Sequence, residues 1–255
     1  MAGDLGGTTV VPDLTVNLVA AAIAAGAGWA WVPVKRRIRT RRARGFWRMY
    51  RGRVGPSIVI GRHDTFKDFE PSGFVGGGDA MALRELQRIF DEIGIGSPDI
   101  IHSNAIDANL LKQSNLIGLG GPDGNWLTRI VLERVVTTIR LGRPEIHEIA
   151  IEDTVENEVY TPWFRPSWDE GVDYGAMYRI PSSLFGKEVL LIAGAFGYGT
   201  WAGVRLLAGK EFLRHPAVAG NRPFECLYRV DVVGRDPARV EILTVRELAV
   251  SPTPT

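Results

Sequence analysis

Residues 114–134 read SNLIGLGGPDGNWLTRIVLER, and the fold turns on how this stretch is parsed. Leu116 to Leu119 is an apolar run of buried-strand length, closed by a loop of three glycines and a proline, after which an amphipathic helix starts at about Trp126. Glycine lets the backbone turn sharply and approach a ligand closely, and Asn125 stands where a helix cap belongs, with free helical N–H groups able to receive an anion. Strand, glycine loop and helix in that order form a binding site without a nucleophile, base or metal ligand of its own.

The same grammar recurs on both sides. Ser57 to Ile60 is a short β-branched run bounded by Gly55-Pro56 and Gly61, followed by a loop with His63, Asp64 and Gly76-Gly77-Gly78-Asp79. That loop opens a helix with Met81, Leu83, Leu86, Ile89, Phe90 and Ile93 at helical spacing, for which Asp79 is the expected N-cap. Gly94, Gly96 and Pro98 end it, Asp99 to His102 is the next strand, leading into Ser103-Asn104, and a short helix over about 105–112 follows. Downstream, Glu188 to Ala193 is a nearly continuous apolar strand that runs into Gly194-Ala195-Phe196-Gly197-Tyr198-Gly199-Thr200 and a helix expected from Trp201 to Leu213. If the four strands are parallel, the residues after them share one edge: His63 and Asp64, Ser103 and Asn104, Gly120 to Asn125, and Gly194 to Thr200.

Residues 137–181 differ in kind, alternating apolar and polar positions over 145–151, 156–160 and 174–180 with Pro162, Pro166 and Gly171 between them. This predicts an antiparallel insertion, whose Trp163, Phe164 and Trp168 either form a lid or contact surface or fill the junction with the main sheet. Residues 225–233 and 240–248 are two further strands around the turn at 234–238, and 249–255 is a frayed tail.

Charge is segregated. The chain has 30 basic and 29 acidic residues, yet residues 35–54 hold ten Lys or Arg and no acid, leaving 20 basic against 27 acidic residues over 55–255. A body of that sign does not suit broad binding of nucleic acid. The basic run instead follows 21 uncharged residues, Leu14 to Val34, the length of a bilayer-crossing helix of about 20 residues, with Trp29 and Trp31 near its end. Basic residues after the apolar run are the reverse of a cleavable signal peptide, so an uncleaved anchor is expected at 14–34, with 1–13 as a short outer tail, 35–54 as a basic juxtamembrane linker and the body cytoplasmic. Insertion is shallow: seven Leu, Ile and Val residues contribute only about −3 kcal/mol against Thr15, Asn17, two glycines and Pro33. Small residues at Ala20, Ala24 and Gly28, and at Ala22, Gly26 and Ala30, suit a homo-oligomeric helix contact. The alternative is a peripheral helix whose basic arm touches anionic lipid.

Gly197 to Ala202 matches G-x-G-x-x-A between a strand and a helix, the context of a dinucleotide-binding turn. It lies late in the chain, no acid closes a second strand about twenty residues on, and neither glycine loop carries a P-loop lysine; tight packing of helix on strand explains the same glycines. For acid–base chemistry the candidates are His63, Asp64, Asp79 and His102, the first three of which are the catalytic expectation. His147 and His215 read as structural, and the single cysteine, Cys226, as a buried thiol. There is no G-x-S-x-G or H-E-x-x-H motif and no histidine pair at metal-ligand spacing, so no metal is expected.

The GGP-x-x-N loop at Gly120 to Asn125, with the later glycine loop at Gly194 to Thr200, resembles uncharacterised bacterial Rossmann-like domains in the broad group that includes SLOG-type sensors. The resemblance covers about residues 57–233 without the insertion. It implies a nucleotide-derived ligand in signalling or conflict systems and identifies no catalytic residue.

The sequence thus predicts an α/β protein: a Rossmann-like three-layer sandwich over 55–248, with a mainly parallel sheet and an antiparallel β insertion at 137–181, behind one N-terminal transmembrane helix. The expected ligand residues are Ser103, Asn104, Gly120, Gly121, Pro122, Asn125, Gly194, Gly197, Gly199 and Thr200. The leading functional expectation is a membrane-anchored sensor or effector for a small phosphorylated or nucleotide-derived ligand, a nucleotide or dinucleotide. The alternatives are a hydrolase of a nucleoside or NAD glycosidic bond, with Asp79 or Asp64 as its carboxylate, and a membrane scaffold for a protein partner.

Overall fold

The computed structural model describes residues 41–50, 55–62, 73–143 and 148–248. The expected membrane helix at 14–34, the ends of the basic linker, His63, Asp64 and His147 lie outside these residues. No described helix is long and apolar enough to cross a membrane.

In chain order, helix α1 at residues 41–46 runs into a 3-10 turn at Trp47–Tyr50 and on to strand β1 (Ser57–Ile60). Helix α2 (Gly77–Ile93) leads to β2 (Asp99–His102), and the short α3 (Ala108–Gln113) leads to β3 (Leu116–Leu119). After α4 (Trp126–Arg134) come β4 (Ile139–Arg143), β5 (Glu148–Asp153), β6 (Glu158–Tyr160), β7 (Trp163–Phe164) and β8 (Glu170–Ile180). The chain finishes with α5 (Ser182–Phe185), β9 (Val189–Gly194), α6 (Gly197–Leu206), α7 (Pro216–Ala219), β10 (Phe224–Val233) and β11 (Asp236–Glu247).

The four apolar runs are parallel neighbours in the order β2-β1-β3-β9, and β8, β10 and β11 extend the sheet antiparallel from β9. Successive strand residues point to opposite faces, so a run apolar at every position must be covered twice. Ile58, Ile117, Leu190 and Ile192 join the core beneath α2 and α6. Val59, Leu116, Val189 and Leu191 join a second core with Leu127 and Val131 of α4 and with Ile139 and Ile151 of the small sheet. Each fully buried Leu or Ile there contributes roughly 1.5–3 kcal/mol.

The segment 137–181 divides in two. β4, β5 and β6 form a separate antiparallel sheet, whereas β8 is an inner strand of the main sheet, between β9 and β10. The small sheet is fastened by polar groups: the Tyr178 hydroxyl donates to the Ile139 carbonyl (2.9 Å), and the buried Glu225 carboxylate accepts from the N–H groups of Thr138 (2.9 Å) and Ile139 (3.3 Å). Arg246 adds a two-pronged ion pair to buried Asp153 at 2.7 and 2.6 Å.

Several expected boundaries shift, among them the end of α6, at Leu206 rather than Leu213, and the start of β11, at Asp236 rather than Val240. The compact unit begins at Arg42, because Phe46, Trp47 and Tyr50, expected in the linker, are buried in the core. They sit at the amino edge of the sheet, where Asn115, just before β3, donates to the Met49 carbonyl (2.7 Å) and Asn221 donates to that of Gly45 (3.2 Å). Helix α6 starts at Gly197, four residues earlier than expected, so its glycines lie inside its first turns. Helix α2 starts at Gly77 with Gly76 as its N-cap, so Asp79 belongs to the first turn rather than capping it.

Candidate functional site

With β1, β2, β3 and β9 parallel, their following loops meet on one edge, and the strand order reverses at β1, whose neighbours are β2 on one side and β3 on the other. The crevice outside the carboxyl ends at such a reversal is where open α/β sheets take ligands. The loops are tied to one another: the Arg62 N–H and the Ser103 hydroxyl both donate to the Gly124 carbonyl, at 3.0 and 3.3 Å. The Gly120 N–H reaches the Ile192 carbonyl of β9 at 3.0 Å.

Asn125 is the pin of this arrangement. Its amide oxygen accepts from the N–H groups of Leu127 (3.0 Å) and Thr128 (3.5 Å), the expected cap, while its amide nitrogen donates to the carbonyls of Val59 (3.0 Å) and Leu119 (2.8 Å). It is fully buried with its bonding capacity spent inside the protein, so it shapes the loop rather than presenting groups to a ligand. Gly120 has φ +106, and a Cβ there would lie 3.0 Å from Oδ2 of Asp79, whose buried carboxyl sits between Gly120 and Gly76. Gly121 and Pro122 are half-buried at the loop, and the Pro122 carbonyl accepts from Arg129 Nε at 2.9 Å. Asn104 and His102 are exposed, away from this packing.

The second glycine loop is occupied from within. Asp173 of β8 is completely buried and accepts from the N–H groups of Tyr174 (2.8 Å), Phe196 (3.1 Å) and Gly199 (2.6 Å), so a carboxylate of the protein already fills the N-terminus of α6, where an anionic ligand was expected. Burial pushes this carboxyl up to about 7, against the three N–H donors that pull it down. The Thr200 hydroxyl accepts from the Gly194 N–H at 3.1 Å and is itself buried. A Cβ on Gly199 would overlap the Tyr174 carbonyl, and one on Gly197 would lie 2.9 Å from the Gly78 Cα, so these glycines let α6 seat on β8 and meet the start of α2.

Above that meeting point is a cleft of about 380 Å³, lined by Gly77, Gly78 and Met81 of α2, Phe196, Tyr198 and Trp201 around the start of α6, Phe164 and Trp168 of the β7–β8 segment, and Arg235. β7 stands here because β8 outruns β9: Gly175 to Ile180 pair with β9, whereas Gly171 and Val172 pair with β7, which overhangs the carboxyl edge. Phe164 stacks on Trp168 and Tyr198 at 5.4 and 5.7 Å between ring centroids, with Phe196 edge-on at 5.6 Å. Of the two expectations for residues 163–168, the packing of Phe164 and Trp168 on Phe196 and Tyr198 fits rings that fill the junction with the main sheet, while Trp163 is exposed. Asp173 and Arg235 were not singled out, although an acid in the buried register of β8, in line with Gly175 and Met177, was the available signal.

Among the described residues there is no group of three His, Cys, Asp or Glu that could hold a metal ion. Cys226 is buried and its thiol is raised far above its usual range by burial. The edge therefore offers a shaped, largely aromatic cavity, with buried Asp79 next in sequence to its Gly78 wall and buried Asp173 bonded to the N–H of its Phe196 wall. Compared with known proteins, the chain matches no family model and no curated protein.

Proposed function

We propose that the domain binds a small phosphorylated or nucleotide-derived ligand at the carboxyl edge of its sheet and acts as a sensor or effector. The observation that carries this reading is the aromatic cleft of about 380 Å³ between the starts of α2 and α6 at the carboxyl edge, within the roughly 300–1,000 Å³ usual for small-ligand sites. One feature favours an anionic ligand. Among the described lining residues Arg235 alone is charged, whereas the first turn of α2 already holds the buried Asp79 carboxyl. The finer Rossmann-like assignment, including the nucleotide class implied by the resemblance, belongs to the same proposal. So do the anchor at 14–34, a cytoplasmic body and helix-mediated self-association, supported by the uncharged run and its basic flank.

Thermal unfolding of the full-length chain against nucleotides, dinucleotides and sugar phosphates tests it. A ligand at about 100 times its Kd stabilises the protein by about 2.7 kcal/mol, which raises the midpoint; a flat response across the panel overturns the reading. Hydrolysis of the bound ligand is the second reading, favoured by the Asp79 carboxyl lodged against Gly120 at the same edge. Asp79→Asn then abolishes turnover and leaves ligand affinity within a few-fold, and a fully active variant removes the hydrolase from consideration.

A further inference from the structure

We propose that the cleft is the base pocket of a mononucleotide site, in which Trp168 stacks on the heterocycle and Arg235 pairs with the phosphate. This deepens the ligand reading above and rests on it.

The walls are aromatic on three sides, from β7, the loop after β9 and the first turns of α6. Rings present flat, polarisable faces that a planar heterocycle covers without needing a particular edge pattern. An aromatic pocket for an organic cation would need acidic groups around it. The one charged lining group is Arg235, whose side chain makes no hydrogen bond or salt bridge among the described residues, its charge acting on the Asp169 carboxyl. Arg205, by contrast, lies over Trp201 at 4.4 Å and is paired with Asp236 at 2.7 Å, so it is not available in the same way. A cationic rim on an aromatic cavity selects an anionic aromatic ligand. Its volume, near the low end for ligand sites, suits one nucleotide rather than an enclosed dinucleotide.

Backbone conformation points to the same place. Four non-glycine residues among those described have positive φ: two are Asn157 and Asn221, whose side chains tolerate it, and the others are Trp168 (φ 57) and Arg235 (φ 64). A bulky aromatic and an arginine held in the left-handed region, both at one cleft, mark conformations fixed by their surroundings. Hydrogen bonds hold both: the Tyr198 hydroxyl of α6 donates to the Trp168 carbonyl (3.3 Å), and the Arg235 N–H donates to the carbonyl of Asp169, next to Trp168 (3.0 Å). Trp168 nevertheless remains 53% exposed, leaving ring surface for an incoming partner.

The experiment titrates the full-length chain with AMP, GMP, adenosine and ribose 5-phosphate, read by tryptophan fluorescence and by unfolding midpoint. A mononucleotide binds at least tenfold more tightly than either adenosine or ribose 5-phosphate. Trp168→Gly, which suits the backbone at that position, weakens mononucleotide binding at least tenfold and leaves ribose 5-phosphate unchanged, while Arg235→Gln erases the preference of AMP over adenosine. Far-UV circular dichroism matching the parent keeps both variants interpretable. Equal binding of AMP and ribose 5-phosphate, unaltered by Trp168→Gly, overturns the base pocket while the phosphorylated-ligand reading stands. Equal binding of AMP and adenosine overturns the role of Arg235, and no binding of any of the four overturns the mononucleotide site.

Discussion

Replacing Asp173 by asparagine tests whether a buried carboxyl sets the pH response of the fold. In the native state burial raises this group to about 7, whereas in the unfolded chain it titrates near the ordinary value of about 3.9. A folded-state value above the unfolded one means that the native protein holds the proton more tightly. Its contribution is therefore complete below pH 4 and is lost as pH rises through 7. Between pH 5 and pH 8 the wild type loses about 2–3 kcal/mol from this group. The window isolates it from two carboxylates that move the other way: Glu85 is held low by the Arg88 guanidinium, and Asp153, despite burial that raises it, by Arg246 and the backbone N–H groups of Glu156 and Val155. Asparagine keeps the oxygen facing Tyr174 and Phe196 but turns an N–H₂ toward the Gly199 N–H, leaving a buried donor unsatisfied at a cost of about 1–3 kcal/mol. The variant is accordingly less stable than the wild type at pH 5 by that amount and close to it at pH 8, with a flat profile between. Urea unfolding at pH 5, 6.5 and 8, followed by tryptophan fluorescence, measures this. A variant that keeps the wild-type slope would refute the assignment.

Asn125→Ala removes the single acceptor of two cap N–H groups and two ties to β1 and β3, and urea unfolding should record a loss of about 3–4 kcal/mol; a loss below about 1 kcal/mol contradicts its role as a pin. Gly78→Ala drives a Cβ into the Gly197 backbone and should cost more than about 2 kcal/mol, whereas Gly77→Ala, with nothing within 4 Å, changes stability by no more than about 1 kcal/mol in the same assay. Equal effects at the two glycines would remove the argument for helix contact there. Arg246→Ala leaves the buried Asp153 carboxylate uncompensated and should cost about 3 kcal/mol, with faster hydrogen exchange concentrated in β4, β5 and β6. Exchange that rises uniformly contradicts the fastening role given to this pair.

The parallel block was legible because its cause is local. Each of the runs at 57–60, 99–102, 116–119 and 188–193 is bounded by turn-forming residues or polar ones, and Asn125 announced its cap by position. What escaped depends on residues far apart in sequence. The glycines from 194 to 199 read either as an anion-binding turn or as tight packing of helix on strand; the packing is there, and the helix end is filled by Asp173, more than twenty residues earlier and on another strand. Gly197 is small because Gly78 lies against it, a contact that no local motif carries. At residues 42–50 the density of arginine dominated the reading, although Phe46, Trp47 and Tyr50 recur at the spacing of one buried helical face. β8 was grouped with the insertion because its alternation resembles that of β5, while its place in the main sheet comes from register with β9 and β10.

The packing at the amino edge also fixes where the compact unit begins and ends. The Phe46 ring lies 6.4 Å from that of Phe224, and the Leu248 N–H reaches the Pro223 carbonyl at 3.0 Å, so residues 46 and 248 both flank the start of β10. The aromatic cleft opens at the other end of the strands. A circular permutant that joins 248 to 42 through a short bridge, or a host protein that accepts 42–248 within a surface loop, leaves the mouth of the cleft unobstructed. The junctions of such a fusion lie about a strand length from the cleft.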